Sequence, residues 1–151
     1  MAMASERTQC NCEKCKTCCL GIPGWFMPGE AEKAAEAMGL TFLDFFDTYC
    51  IVEYWMGEGG HDIHVLSPRK EGQMTARAEW GDNFRRAPCH LLTHQGCKLS
   101  AEVRPWECAT TLSCTAGKNT NQREKISEAW DTPDIQQQLA EFALRTIREH
   151  R

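Results

Sequence analysis

Five cysteines fall within ten residues, Cys10-Asn11-Cys12-Glu13-Lys14-Cys15-Lys16-Thr17-Cys18-Cys19, in a stretch with almost nothing else able to build a hydrophobic core. It reads as a ligand loop. Cysteines two residues apart in a turn can aim both sulfurs at one soft metal ion, because the intervening backbone bends round the metal and offers amide N–H groups to the thiolates. Two such spacers overlap here, Cys12 to Cys15 and Cys15 to Cys18. Overlapping Cys-x-x-Cys spacings are far more selective than a single one, so metal or iron–sulfur binding is expected ahead of redox thiols and structural disulfides.

At 151 residues the chain has single-domain size, and a domain of that length buries about 68–70% of its unfolded surface without help from a metal. The metal therefore need not supply the core. Hydrophobic content of 42% and charged content of 25% are those of a globular protein rather than a disordered one. A formal charge of −4 argues against a dedicated nucleic-acid binder, which needs a basic face. Ten cysteines would also suit a secreted disulfide scaffold, but residues 1–9 hold neither a charged n-region nor an apolar h-region. No apolar run approaches the roughly 20 residues of a membrane span. A reducing cytoplasm, where dense cysteine favours metal over disulfide, is the expected compartment.

Beyond the ligand loop, residues 20–29 combine turn-formers with aromatics, which predicts a loop with Ile22, Trp25 and Phe26 packed inward; the same aromatics could wall off a metal centre from water. The Ala- and Glu-rich run 30–38 predicts a short helix stopped by Gly39. Thr41 is the expected N-cap of a second, buried helix over 42–50, with Cys50 at its end as a small hydrophobe. Residues 51–55, 62–66 and 74–78 read as short strands of a small antiparallel sheet. His61 and His64 would point to opposite faces of a strand, so solvated or core-edge roles are expected of them.

Residues 28–62 hold eight carboxylates against the single Lys33, whereas 69–104 hold seven basic residues against four acids. Ordinary solvated surface is the expectation for both, since no basic run is interleaved with aromatics. A helix is expected over 123–130. Thr132 and Pro133 then start another over 133–148, with Ile135, Leu139, Phe142, Ala143 and Ile147 on one face.

A second set of thiols, Cys89, Cys97, Cys108 and Cys114, has seven, ten and five residues between successive members. Alone this spacing is weak. Together with the first cluster it supplies the thiols needed if distant parts of the chain close over one site or two.

With both clusters in view, the chain resembles the YkgJ-type cysteine-cluster family, described as zinc- or iron-chelating proteins with a Cys-x-x-Cys-x-x-Cys-Cys signature. That signature corresponds here to Cys12, Cys15, Cys18 and Cys19. The family's later Cys, Gly-Cys and Arg-Pro-x-x-Cys elements look like Cys89, Gly96-Cys97 and Arg104-Pro105-Trp106-Glu107-Cys108, and Cys114 completes eight. The resemblance covers about residues 12–114 and leaves Cys10 and Cys50 outside its pattern. Ala109 and Ser100 stand where an arginine and an aromatic are common.

The metal ligands expected are thus Cys12, Cys15, Cys18, Cys19, Cys89, Cys97, Cys108 and Cys114. Neighbouring Cys18 and Cys19 diverge, which makes it awkward for both to serve one tetrahedral ion; either they serve different metals or one stands back. Eight thiolates around two Zn²⁺ would leave negative charge for Arg85, Arg86 or Arg104 to offset. A [4Fe–4S] cluster needs less, and a three-cysteine run with a remote fourth resembles cluster-binding loops, so iron–sulfur is slightly preferred over zinc.

The expected fold is α+β, a small, mainly helical single domain with a short antiparallel sheet, closed around a cysteine-ligated metal site. Residues 1–9 form a tail, 10–114 the metal-binding domain, and 115–151 helices packed on that domain. The leading function is structural or electron-transfer metal binding. The alternatives are a cluster-dependent enzyme, since the signature also occurs in flagellin lysine methylases, and a thiol redox or metal-delivery module. Besides the metal or cluster, a protein partner is left open and nucleic acid is not expected.

Overall fold

Alanines spaced three and four apart start the architecture. Helix α1 (Glu30–Ala37) buries Ala31, Ala34 and Ala35, and their small side chains let its backbone lie close to the core. It ends as expected, with Gly39 in the left-handed region at φ 71°. Thr41 then caps α2 (Phe42–Tyr49), its Oγ1 accepting the Asp44 N–H at 3.1 Å, and Phe45 and Phe46 face inward. The computed structural model describes residues 24–56, 62–79, 85–94, 96–100, 102–110 and 122–145.

Cys50 is not the end of α2. It opens strand β1 (Cys50–Met56), which pairs antiparallel with β2 (Asp62–Pro68) from Cys50 opposite Pro68 to Met56 opposite Asp62. The β-branched Ile51 and Val52 favour the strand, and the ladder to β2 satisfies backbone groups that another helical turn would otherwise have used. Residues 76–78 run along the other edge of β1 by a single parallel bridge, with Val52 N–H donating to Ala76 O at 2.8 Å and Ala78 N–H to Val52 O at 2.9 Å. That segment is therefore neither a full strand nor antiparallel. A second sheet is a hairpin of two-residue strands, β3 (Leu92–Thr93) and β4 (Gly96–Cys97).

Among the described residues three further helices follow: α3 (Trp106–Thr110), α4 (Gln122–Trp130) and α5 (Pro133–Ala143). Pro133 starts α5 as its type predicts, and Thr132 occupies the N-cap position without a side-chain capping hydrogen bond. The helix stops at Ala143, short of residue 148, because the N–H groups of Leu144 and Arg145 bond three residues back and tighten the last turn. Arg145 then clasps Asp47 of α2 through both carboxylate oxygens, at 3.0 and 2.8 Å.

Helix α5 lies over β1 and β2. Its Phe142 packs edge-on against Phe42 and tilted against Phe46, and its Gln136 accepts the His64 N–H at 2.8 Å and donates to His64 O at 2.8 Å. His64 is thus a core-edge residue that docks a helix; His61 lies outside the described residues. The core holds Trp25, Phe26, Phe45, Phe46, Val65, Leu91, Leu99, Ile126 and Leu139. Trp25 and Phe26 pack inward as expected, while Ile22 is outside the described residues. The result is one small domain of mixed helices and short antiparallel sheets. Among the described residues no helix is long and apolar enough to cross a membrane.

Candidate metal centre

Past Pro68 the chain stays extended and gathers a new neighbour. Lys70 bridges antiparallel to Cys89, with Glu71 N–H donating to Pro88 O and His90 N–H to Arg69 O, both at 2.8 Å. Arg69 N–H donates in turn to Tyr49 O. One residue, Arg69, thereby joins the position before Cys50 to the position after Cys89. Its buried guanidinium also donates twice to Cys50 O, from Nε at 3.1 Å and Nη2 at 2.8 Å.

Cys50 is wholly buried and Cys89 is 7% exposed. Burial pushes the Cys50 thiol well above its ordinary pKa; the Arg69 charge pulls it back, while Cys89 and Glu32 add to the rise. Cys50 and Cys89 therefore lie within electrostatic reach of one another.

Cys89 and Cys97 flank the β3–β4 hairpin, and each sulfur accepts a backbone N–H from two residues ahead. Leu91 N–H donates to Cys89 Sγ and Leu99 N–H to Cys97 Sγ, both at 3.4 Å. Both leucines are buried, so the amides are fixed by the packing of their own side chains. The hairpin keeps the two turns in register: Leu92 pairs with Cys97, and Lys98 N–H donates to Leu91 O at 2.7 Å. Gly96, at φ 107°, takes the bend that an L side chain would strain. Arg104 reaches the same place, its Nε donating to Leu99 O at 2.8 Å. Burial raises the Cys97 thiol, whereas the Leu99 N–H and the Arg104 guanidinium, as charge and as donor, pull it down.

Cys108 sits in the short α3, against the backbone of Gly24. A Cβ at position 24 would stand 2.6 Å from Cys108 Sγ and 2.8 Å from Cys108 N, so only glycine fits without movement. Next door, Trp25 N–H donates to Glu107 Oε1 at 2.7 Å.

Of the eight expected ligands, Cys89, Cys97 and Cys108 lie in the described residues; Cys12, Cys15, Cys18, Cys19 and Cys114 lie outside them, as does Cys10. Among the described residues no three His, Cys, Asp or Glu side chains form a group able to hold a metal ion. Cys89 and Cys97 belong to the β3–β4 hairpin region, and Cys108 lies in α3 against Gly24. Of the three arginines expected to offset ligand charge, Arg104 stands at Cys97, Arg85 donates to Glu71 O at 3.1 Å, and Arg86 is exposed.

Two charge expectations change. Glu53, Arg69 and Lys70, counted with the solvated surface, are buried. Glu30 is a backbone acceptor rather than a surface acid, taking the Met27 N–H at 2.6 Å and the Trp106 N–H on both oxygens at 3.0 Å. The sequence signal for Glu107 was its place beside Cys108, but its partner Trp25 is 82 residues away.

The chain matches no family model, no curated protein and no solved structure.

Proposed function

We propose that the chain is a metal-binding protein in which Cys12, Cys15, Cys18 and Cys19 join Cys89, Cys97, Cys108 and Cys114. They hold an iron–sulfur cluster or zinc, in a structural or electron-transfer role, and the domain closes around that centre. This keeps the resemblance to the YkgJ-type family as part of the proposal.

The observation that carries the reading is the repeated amide-to-sulfur contact, Leu91 to Cys89 and Leu99 to Cys97. A backbone N–H aimed at sulfur favours the thiolate, which is the ligand form, and such donors tune the charge and potential of a bound centre. A cysteine that serves only as core filler has no need of one. Arg104 adds positive charge at Cys97, as a thiolate-rich site requires. The donor set therefore suits a thiolate-bound metal. Iron–sulfur keeps its slight preference, since Trp25 and Trp106 are buried close to the Gly24–Cys108 contact and apolar walls shield a cluster from water.

Anaerobic purification followed by iron, sulfide and zinc analysis and visible absorption tests this. Brown protein carrying iron and sulfide is the expected result. Colourless protein with two zinc ions overturns the iron preference, and protein with no bound metal overturns the reading.

A further inference from the structure

Residues 24–27, which follow the first cysteine stretch, are tied down from several sides. Gly24 lies on Cys108, Phe26 N–H donates to Leu66 O at 2.9 Å, and Phe26 O accepts the indole N–H of Trp130 at 2.7 Å. Two carboxylates complete the attachment in opposite directions. Glu107, from α3, accepts the Trp25 N–H at 2.7 Å. Glu30, at the start of α1, accepts the Met27 N–H and reaches across to the Trp106 N–H at the start of α3. Each side therefore lends the other a carboxylate.

Hydrogen bonds from backbone N–H to an ionised carboxylate are roughly twice as strong as neutral ones. Burial of Trp25 and Phe26 would alone keep residues 24–27 on the core, but it would leave their distance from α3 adjustable. Reciprocal carboxylates and a contact with no room for a methyl group fix that distance.

We infer that the reciprocal clasp, Glu107 on Trp25 and Glu30 on Trp106, together with glycine at 24, holds Cys108 at a fixed place against residues 24–27 and so positions it as a ligand. Gly24, Glu30 and Glu107 are positioning residues for the metal centre, an inference that rests on the metal reading above.

The test compares wild type with Gly24→Ala, Glu107→Ala and Glu107→Gln in three measurements: metal release to a chromogenic chelator, alkylation of Cys108 by iodoacetamide in the metal-free protein, and thermal unfolding. Gly24→Ala and Glu107→Ala are expected to release metal at least about tenfold faster. Metal-free Glu107→Ala is expected to alkylate faster at Cys108. Glu107→Gln keeps an acceptor oxygen for the Trp25 N–H and is expected to stay close to wild type in both. Unchanged release overturns the inference, as does faster release that only tracks a lower unfolding temperature. Equal Cys108 acceleration in both Glu107 variants also overturns it, because the cause is then lost charge rather than a lost clasp. If wild type holds no metal, the metal reading fails and alkylation alone decides the clasp: acceleration in Glu107→Ala with Glu107→Gln at the wild-type rate keeps it, and any other pattern overturns it.

Discussion

An apolar end and a cysteine end share one core but are built by different means. Around α1, α2, β1, β2 and α5 the strands run seven residues, α5 runs eleven, and aromatic and aliphatic side chains fill the interior. Around Cys89, Cys97 and Cys108 the strands are two residues long and α3 is five. Elements that short are not stable on their own, because nucleating a turn or a hairpin costs more than so few bonds return. Polar attachments there supplement the burial of Leu91, Leu99 and Trp106: carboxylates on backbone amides, amides on sulfur, and Arg69 and Arg104 on carbonyls. The contrast teaches where a bound metal would matter. The apolar end has its own source of stability, whereas the cysteine end gains most from a ligand that ties its turns together.

The largest effect that would expose this difference comes from the apolar end. Phe46→Ala removes a fully buried ring in contact with Phe42 and Phe142 and is expected to cost about 3–5 kcal/mol by denaturant unfolding. Metal content of the protein that remains folded should not change; a variant that folds normally yet loses its metal would show that the two ends are not separable in this way.

A smaller effect tests the seam between them, where Cys50 meets Arg69 and Cys89. Burial raises the Cys50 thiol above its ordinary value of 9.0, so the folded, metal-free protein holds a proton that the unfolded chain gives up as pH rises past that value. Its stabilising contribution is complete below about pH 9 and declines above it, by at most about 1.4 kcal/mol per pH unit for one proton. Cys50→Ala should flatten that alkaline slope in pH-dependent unfolding. Metal binding should show the opposite trend, tightening with pH because ligand thiols must lose protons. A metal-free Cys50→Ala protein with the wild-type alkaline slope would remove Cys50 from the seam.

Least should come from the exposed side of the apolar end. Asp47→Asn weakens the partly exposed pair with Arg145 and is expected to cost no more than about 1 kcal/mol, less in high salt. A larger loss that shrinks as salt is added would mean that α5 is held by charge rather than by Phe142 and Gln136.

Much of the apolar end was legible in the sequence because its signals are local. Thr41 before an apolar run, Gly39 after an alanine-rich one, and Thr132-Pro133 each act within a turn of where they stand. The misreadings fall where no local residue decides. Nothing between Tyr49 and Ile51 breaks a helix, so Cys50 reads as helical until its pairing with Pro68 is known. Nor does any glycine or proline mark the end of α5 at Ala143, where Arg145 instead turns to Asp47. At the candidate centre the cysteines were legible by type and spacing, whereas their surroundings were not. Glu30 looks like a surface acid because one of the amides it binds, that of Trp106, lies 76 residues away, and the partner of Glu107, Trp25, lies 82 residues away. The amide donors on Cys89 and Cys97 depend on turns that Leu91 and Leu99 fix only when buried.

X-ray absorption at the metal edge of anaerobically purified protein tests the two-cluster thiolate site most directly. A site built from Cys12, Cys15, Cys18, Cys19, Cys89, Cys97, Cys108 and Cys114 predicts a ligand shell of sulfur alone, at about 2.3 Å for iron or zinc. A shell containing nitrogen or oxygen at about 2.0–2.2 Å would contradict it.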